Sequence, residues 1–552
     1  MSRSVVVGLL ALTLLLYAVR TSGAQTACMD DHGDRPPPTL GDMGEEERLA
    51  AFDRLQERLP EVWRSIAWED PAESVVVVPS MTLDLVVADS GALLQALEER
   101  FLFLLLLLRQ PRLRMVYVTS MPIDPAIVEY YLSLLPGVIP SHARSRLQLV
   151  SVGDSSGVPL TDKLLERPRL VAQIAAMVPD PLRSHLIPYT STERERDLAL
   201  LLGIPMYAAD PRHFVLGTKT GCRRLFAEAD VAHPAGAEDL HTLDEVVGSL
   251  ADLRAARPGL ADAMVKLNEG VSGGGNALVD LRDLPAGDGP DALDRVRDRV
   301  LAMAPEDQRV DVPTFLARLA VGGGVVEERL AGEEVRSPSV QLRITPLGEL
   351  EVLSTHDQVL GGPSGQSYLG ARFPADQAYA AAITESARRV GEVLVRKGVM
   401  GRFALDYVVV RHGSRWEAHA IEVNLRKGGT THPFLTLQFL TGGTYVADLG
   451  CFLTPQGERR HLVATDHLEH PVLRGLRVSD LFDLIARTRL HFDQGTQQGV
   501  VFHMISCLTE LGRVGMTAIG DTPVAAQALY DRAQEALLEE AREALTPRPV
   551  RF

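Results

Sequence analysis

The stretch HAIEVNLRKGGTTHPF, His419–Phe434, begins like a buried strand and then turns polar. Alternate residues of a strand point to opposite faces. Ile421, Val423 and Leu425 therefore share one face, and Glu422, Asn424 and Arg426 the other. The run FALDYVVVRHGSRWEA before it turns at Gly413–Ser414, so the two segments read as a hairpin. That register sets Asp406 opposite a position near Ile421, within about one residue of Glu422. Phe403, Leu405 and Tyr407 join the first set as the core face. Arg402, Ala404 and Asp406 join Ala420, Glu422, Asn424 and Arg426 on the open face, where the alanines leave room. Two carboxylates and an amide oxygen are hard ligands that suit Mg²⁺, which completes its octahedron with waters and phosphates. Arg426 has the fork geometry to hold a phosphoryl group in transfer. A merely solvated sheet face would not need the whole set.

Three further clusters point the same way. In AMVKLNEGVSGGGNALV a strand carrying Lys266 runs into a loop with Gly270, Gly273, Gly274 and Gly275. Glycines let backbone amides approach phosphates closely, and a lysine complements their charge. The GK[ST] signature of a Walker loop is absent. In GGVVEERLAGEEVRSPSV two strand-like segments flank a turn with Glu327, Glu328, Glu333 and Glu334. Backbone groups at such a hinge can read an adenine edge, and a glutamate can bind ribose hydroxyls. In LGTKTGCRRLF, Lys219 precedes a helix that starts near Gly221. Each cluster alone reads equally well as a flexible turn, a charged surface turn or a solvated helix end.

These pieces need a scaffold of several domains, since 552 residues exceed one compact core. Strands ESVVVVPSM, RMVYVTSMPI and LQLVSVGD alternate with helices, which predicts a parallel α/β domain to about Tyr207. EEERLAAFDRLQERLPEVW reads as one amphipathic helix. LQALEERFLFLLLLLRQP reads as one mostly buried helix ended by Pro111, and its charges at Glu98, Glu99, Arg100 and Arg109 mark a core helix and not a membrane span. From Phe214 to about Thr430 helices alternate with antiparallel hairpins, including SPSVQLRITPLGELEVLSTHDQVL with its turn at Pro346–Gly348. A smaller α/β segment follows and ends in a long helix. The expected boundaries are 1–43 for an apolar segment with a Pro-rich linker, then 44–210, 211–445 and 446–552.

The net charge of −16 speaks against nonspecific nucleic-acid binding. Four cysteines without a CxxC pair, Cys28, Cys222, Cys451 and Cys507, speak against a disulfide framework or a thiolate zinc site and for isolated reduced thiols. The N-terminus, with its apolar run Val5–Val19, has the pattern of a secretory signal and is short for a membrane span. An upstream misassigned start is the other reading.

In chain order, the lysine ahead of a helix, the strand lysine before a Gly-rich lid, the E-E-x-L-x-G-x-E hinge and D…E-x-N-x-R resemble an ATP-grasp enzyme. EERFLFLLLLLRQPRLRMVYVTSMPI, LTDKLLERPRLV, GTKTGCRRLF, VKLNEGVSGGGNA and IEVNLRKGGTTHPF narrow the resemblance to the peptide ligase family typified by the pheganomycin ligase, and GVVFHMISCLTELGRVGMTAIG resembles its C-terminal domain. The resemblance implies an α/β and α+β architecture: a parallel pre-ATP-grasp domain, an ATP-grasp fold whose antiparallel sheets clamp ATP, and a small C-terminal α/β domain. It implies that Lys219 and Lys266 contact ATP phosphates under the glycine lid Gly273–Gly275. Glu327 or Glu328 would sit at the adenine and Glu334 at the ribose. Asp406, Glu422 and Asn424 would hold Mg²⁺. Arg426 would stabilise the transferring phosphoryl group, with help from Arg343.

The reaction implied is phosphorylation of a carboxylate, then attack by an amine, releasing ADP and phosphate. Small-molecule carboxylates and amines, amino acids or peptides, are the expected partners, and a homo-oligomer is compatible. ATP use places the chain in the cytoplasm, against the signal-like N-terminus, which is also the one candidate for membrane contact. Other ATP-grasp outcomes, a kinase or a thioester-forming ligase, share this pattern, as does a nucleotide-binding sensor without turnover. THDQVLGGPSGQSYLGARF, with His356, Asp357 and Gln358, lines or closes the acyl site in this picture, and His432 orients substrate or serves as a base. For a lone histidine a structural role is the commoner one.

Overall fold

The structure, a computed structural model, describes residues 40–67, 73–82, 91–270, 274–284, 290–361, 365 and 367–546. The chain divides into two compact units, 1–43 and 44–552. The described part of the first contains one 3-10 turn, Leu40–Asp42. The apolar run Val5–Val19 lies outside the described residues. Among the described residues no helix is long and apolar enough to cross a membrane.

The second unit opens with two helices, Glu45–Gln56 and Leu59–Ala67, where the pattern predicts one. Pro60 has no amide to give to Gln56, so the helix stops and restarts with the proline in its first turn. A four-stranded parallel sheet follows, in the order Leu147–Ser151, Arg114–Thr119, Ser74–Val78, Ser184–Pro188. Both its faces are covered, as parallel sheets require. Val76 and Val78 pack with Phe52, Leu164 and Leu198, while Val75 and Val77 face the leucine-rich run.

That run is α-helical only over Gly91–Glu99 and continues as a 3-10 helix over Arg100–Arg109. Apolar residues at nearly every position carry no period, so pattern alone does not separate the two helix types. Glu98, Glu99 and Arg100 are buried and partnered, whereas Arg109 at its end is exposed. Glu98 accepts from the Ser120 amide at 2.7 Å and hydroxyl at 2.6 Å. Glu99 accepts from the amides of Ile505 at 2.5 Å and Ser506 at 3.1 Å. Arg100 donates to Asp466 at 2.5 Å. This helix therefore joins the N-terminal sheet to the C-terminal strands through polar contacts inside the core.

Two antiparallel sheets carry the middle of the chain. The smaller has the order Gly236–Leu240, Gly324–Glu328, Asp262–Leu267, Asn276–Asp280, Ala304–Pro305. The larger has nine strands, including Pro338–Ile344, Leu350–Gly361, Gly401–His412 and Arg415–Asn424. Both expected hairpins form, with turns at 346–348 and 413–414. The C-terminal strands continue this sheet: His461–Glu469 pairs with Ser367–Phe373, and Arg513–Gly520 and Gly499–His503 extend beyond it. The helix Pro523–Ala544 covers them. Cys222, Cys451 and Cys507 are buried free thiols, as expected for isolated cysteines.

Burial pushes the Glu99 carboxyl up to about 7, against an ordinary 4.5. The native chain then holds a proton between these values that the unfolded chain has released, so stability is lost as pH rises through the window. In Glu99→Gln the melting temperature should fall less between about pH 5 and pH 7 than in the wild type, with a free-energy difference of at most roughly 3 kcal/mol. Identical slopes would show that the carboxylate is ionised in the native state.

Candidate functional site

The hairpin that carries the acids departs from regular pairing at one step. His412 pairs with Arg415 and the ladder is regular to Tyr407 opposite Ala420, but Asp406 pairs with Glu422. Ile421 is the extra residue of a β-bulge. The bulge sets the two carboxylates directly opposite one another. It also corrects two faces expected from strict alternation: Ala420 belongs to the core with Leu405, Tyr407 and Val423, while Ile421 lines the cavity beside Glu422.

Around these acids the donors converge. Asn424 Nδ2 donates to Asp406 Oδ2 at 3.0 Å, and Gln358 Nε2 to Asp406 Oδ1 at 2.8 Å. Burial, then Glu422, pushes the Asp406 carboxyl up to about 6. A half-turn of the Asn424 amide would bring its oxygen to the same point. Two carboxylates that repel one another and an amide that can flip fit a hard divalent cation. Lys219 is the first residue of the helix Lys219–Glu228, two positions before the expected start, because Thr218 caps it by accepting from the Gly221 amide. Its ammonium lies 2.7 Å from Glu422 Oε1. Burial alone would lower the Lys219 pKa, but Glu422 raises it above the ordinary value.

Opposite, in the smaller sheet, Lys266 Nζ meets Glu327 Oε2 at 2.7 Å, and Arg223 Nη1 meets Glu327 Oε1 at 3.2 Å. Burial works against the Glu327 charge, yet Lys266 and Arg223 hold its carboxyl below the ordinary range. Glu328 accepts from the Ala235 amide at 2.8 Å and pairs with Arg257. The segment after it crosses to the larger sheet, where Glu334 binds Arg336 at 2.7 Å and Arg411 at 3.1 Å. The expected hinge is thus the connection between the two sheets. Gly275 is buried and its carbonyl accepts from Leu267 at 2.8 Å, Gly274 lies in an exposed turn, and Gly273 lies outside the described residues.

One cavity of about 1220 Å³ between the sheets is lined by Lys219, Lys266, Gly275, Glu327, Glu328, Glu334, Asp406, Glu422, Asn424 and Arg426. Arg343 is absent from that lining. Its guanidinium pairs with Glu351 and stacks 4.9 Å from the Trp63 ring. Ser339 and Gln341, the preceding residues on its face, do line the cavity, opposite Asp406 and Ala404. The sequence marks them weakly, because uncharged polar residues on a strand carry little signal, though their spacing of two and four from Arg343 sets them on its face. Asp357 and Gln358 also line the cavity. His356 does not: it is packed among Phe373 and Phe434, and burial pushes it down to about 3. Tyr189, Arg100, Tyr368 and Asp466 line the cavity as well. Tyr368 belongs to the stretch THDQVLGGPSGQSYLGARF expected to line or close the acyl site, whereas Tyr189, Arg100 and Asp466 come from segments with no chemical motif.

Residues 213–293 and 310–446 match the family model described as IQCH-like, ATP-grasp, and residues 480–533 match the PGM1 C-terminal domain. The chain is 32% identical over 451 residues to the L-propargylglycine–L-glutamate ligase of Streptantibioticus cattleyicolor, covering 80% of this chain and 89% of that protein. It is 24% identical over 451 residues to IQ motif-containing protein H of Danio rerio, covering 72% of this chain and 42% of that one. Among solved structures, N5-carboxyaminoimidazole ribonucleotide synthetase in its ADP complex superposes with a TM-score of 0.49 at 9% identity, over 86% of this chain and 98% of that one.

Of Lys219, Lys266, Arg343 and Arg426, Arg343 alone lies outside the cavity lining. Arg343→Met should lower stability by about 1 kcal/mol, through a partly exposed ion pair and a ring contact. It should leave the affinity for a Mg²⁺–nucleotide unchanged in a calorimetric titration. Lys266→Met should weaken that affinity by about tenfold or more. Equal losses in the two variants would return Arg343 to the site.

Proposed function

Because the chain belongs to the ATP-grasp peptide ligases of the pheganomycin-ligase type and is an ATP-dependent ligase that forms a carbon–nitrogen bond, we propose that it joins amino acids or short peptides through an acyl phosphate. The observation that carries the reading is the cavity wall itself. Asp406, Glu422 and Asn424 stand on one sheet, Lys266 and Glu327 on the other, and Lys219 and Arg426 lie between. The proposal divides the second unit into a pre-ATP-grasp part 44–210, an ATP-grasp part 211–445 and a C-terminal part 446–552.

In this reading Lys219 and Lys266 leave Glu422 and Glu327 for the nucleotide phosphates, and Gly274–Gly275 with the preceding loop cover them. The backbone after Glu328 reads the adenine edge, and Glu334 the ribose. Asp406, Glu422 and Asn424 hold Mg²⁺, which when bound neutralises phosphate charge. The carboxylate oxygen of the first substrate attacks the γ-phosphorus in line, and ADP departs. Arg426 stabilises the phosphoryl oxygens during transfer. The amine nitrogen of the second substrate then attacks the acyl carbon. The carbon–oxygen bond to phosphate breaks, and the amine loses one proton as the amide forms. No protein nucleophile is involved. Catalysis rests on positioning and charge neutralisation in a dry cavity. Arg343, held by Glu351 and Trp63, supports the strand and touches no reacting atom in this scheme. The relative's substrates, L-propargylglycine and L-glutamate, make free amino acids the first to try, within the cytoplasm where ATP is plentiful.

The test supplies ATP, Mg²⁺, a pool of amino acids and peptides, and hydroxylamine to trap an activated acyl group. ADP should appear together with a hydroxamate, and both should disappear in Glu422→Ala, whose circular dichroism should match the wild type. ADP release without hydroxamate or amide would refute the acyl phosphate and favour a kinase. Wild-type turnover in folded Glu422→Ala would sink the metal assignment.

A further inference from the structure

Three side chains that the proposed reaction does not use meet beside the cavity. His432 lies in the helix Thr431–Thr441, Asp466 in the strand His461–Glu469 and His503 at the end of the strand Gly499–His503. All three are buried. His432 Nε2 is 3.0 Å from His503 Nε2, His503 Nε2 is 2.8 Å from Asp466 Oδ1, and His432 Nε2 is 3.3 Å from Asp466 Oδ1. Each ring nitrogen has a single in-plane lobe, so one proton serves one edge of this triangle and leaves the others poorly matched. A divalent cation takes up all three lone pairs at once. The edges approach the ligand–ligand spacing around a tetrahedral zinc with bonds of about 2.0–2.1 Å.

The surroundings suit such an ion. Arg100 donates to Asp466 Oδ2 at 2.5 Å and so holds Oδ1 toward the two imidazoles, the part an outer partner plays for a metal ligand. The His503 ring lies over Gly515, its partner in the neighbouring strand. A Cβ at position 515 would stand 2.1 Å from His503 Nε2, so glycine is what leaves room for the ring. Asp466 lines the cavity, which supplies an entry path. Two imidazoles with one carboxylate suit zinc or a similar transition ion, whereas Mg²⁺ prefers oxygen alone.

We propose that His432, Asp466 and His503 form a second metal site, for a Zn²⁺-class ion, distinct from Asp406–Glu422–Asn424. The ion joins the helix that follows the Arg426 segment to two C-terminal strands. Three protein ligands leave a fourth position for a water or a substrate oxygen. The site uses no cysteine, so the absence of CxxC pairs does not bear on it.

The test takes the untagged full chain, strips it with a chelator, adds one equivalent of Zn²⁺, washes it and measures bound zinc by mass spectrometry. One zinc per chain should remain in the wild type and in Glu422→Ala. His503→Gln and Asp466→Asn should lose affinity by at least tenfold in a competition titration. X-ray absorption at the zinc edge of the wild type should show two imidazoles, and it decides the matter even where a variant does not fold. Absence of retained zinc, full retention in both folded variants, or a spectrum without imidazole scattering would each overturn the proposal and leave the triad a proton-sharing network.

Discussion

Asp406 and Glu422 face one another across a single rung of the sheet, and much of the site is arranged around that repulsion. Two carboxylates so placed, both partly buried, are tolerated only where positive charge or donors offset them. Lys219 at the start of its helix, the amides of Asn424 and Gln358, and Arg426 nearby supply this. In the proposed reaction the same groups would turn to phosphates and a cation. Lys266 and Glu327 repeat the scheme on the opposite sheet. Lys219 and Lys266 thus each rest on an internal counter-charge, Glu422 and Glu327, and in the proposed reaction they would exchange that partner for phosphate without leaving a charge bare in the core.

Buried polar ties also set the shape of the cavity. Glu99 holds the amides of Ile505 and Ser506, Arg100 holds Asp466, and the Lys427 ammonium donates to the Pro188 carbonyl at 2.5 Å. Burial, with Arg402, pushes that lysine down to about 7. Each contact joins segments that are distant in the chain and would be costly to break singly, since its partner would stay buried and unmatched. They fix the N-terminal sheet, the hairpin with the acids and the C-terminal strands as one wall. Apolar packing alone, which is non-directional, would set that register less sharply.

Local features were the legible ones. The hairpin with Asp406 and Glu422 follows from strand alternation and a two-residue turn, and the parallel N-terminal sheet from runs of valine between helices. Errors arose where one residue changes the phase. The bulge at Ile421 exchanges the faces of Ala420 and Ile421, and nothing in HAIEVN marks it, because alanine and isoleucine fit either side. The leucine-rich run has no period, so its change from α to 3-10 left no trace. Arg343 shares a strand face with cavity residues but lies beyond them, a matter of where the neighbouring wall ends.

The sequence by itself determined the chemistry available: acids, amide and arginine on one strand face, lysines at a helix start and ahead of a glycine lid, and a glutamate-rich connection. These depend on short spacings along a strand or across one hairpin turn, which backbone geometry converts directly into a shared face. Only the tertiary structure decided which of them meet. The Lys266–Glu327 pair spans 61 positions, Arg100–Asp466 spans 366, and His432 finds Asp466 and His503 only after the C-terminal strands extend the central sheet. Such contacts follow from sheet order and strand register, which are global properties of packing and are not written in any local pattern.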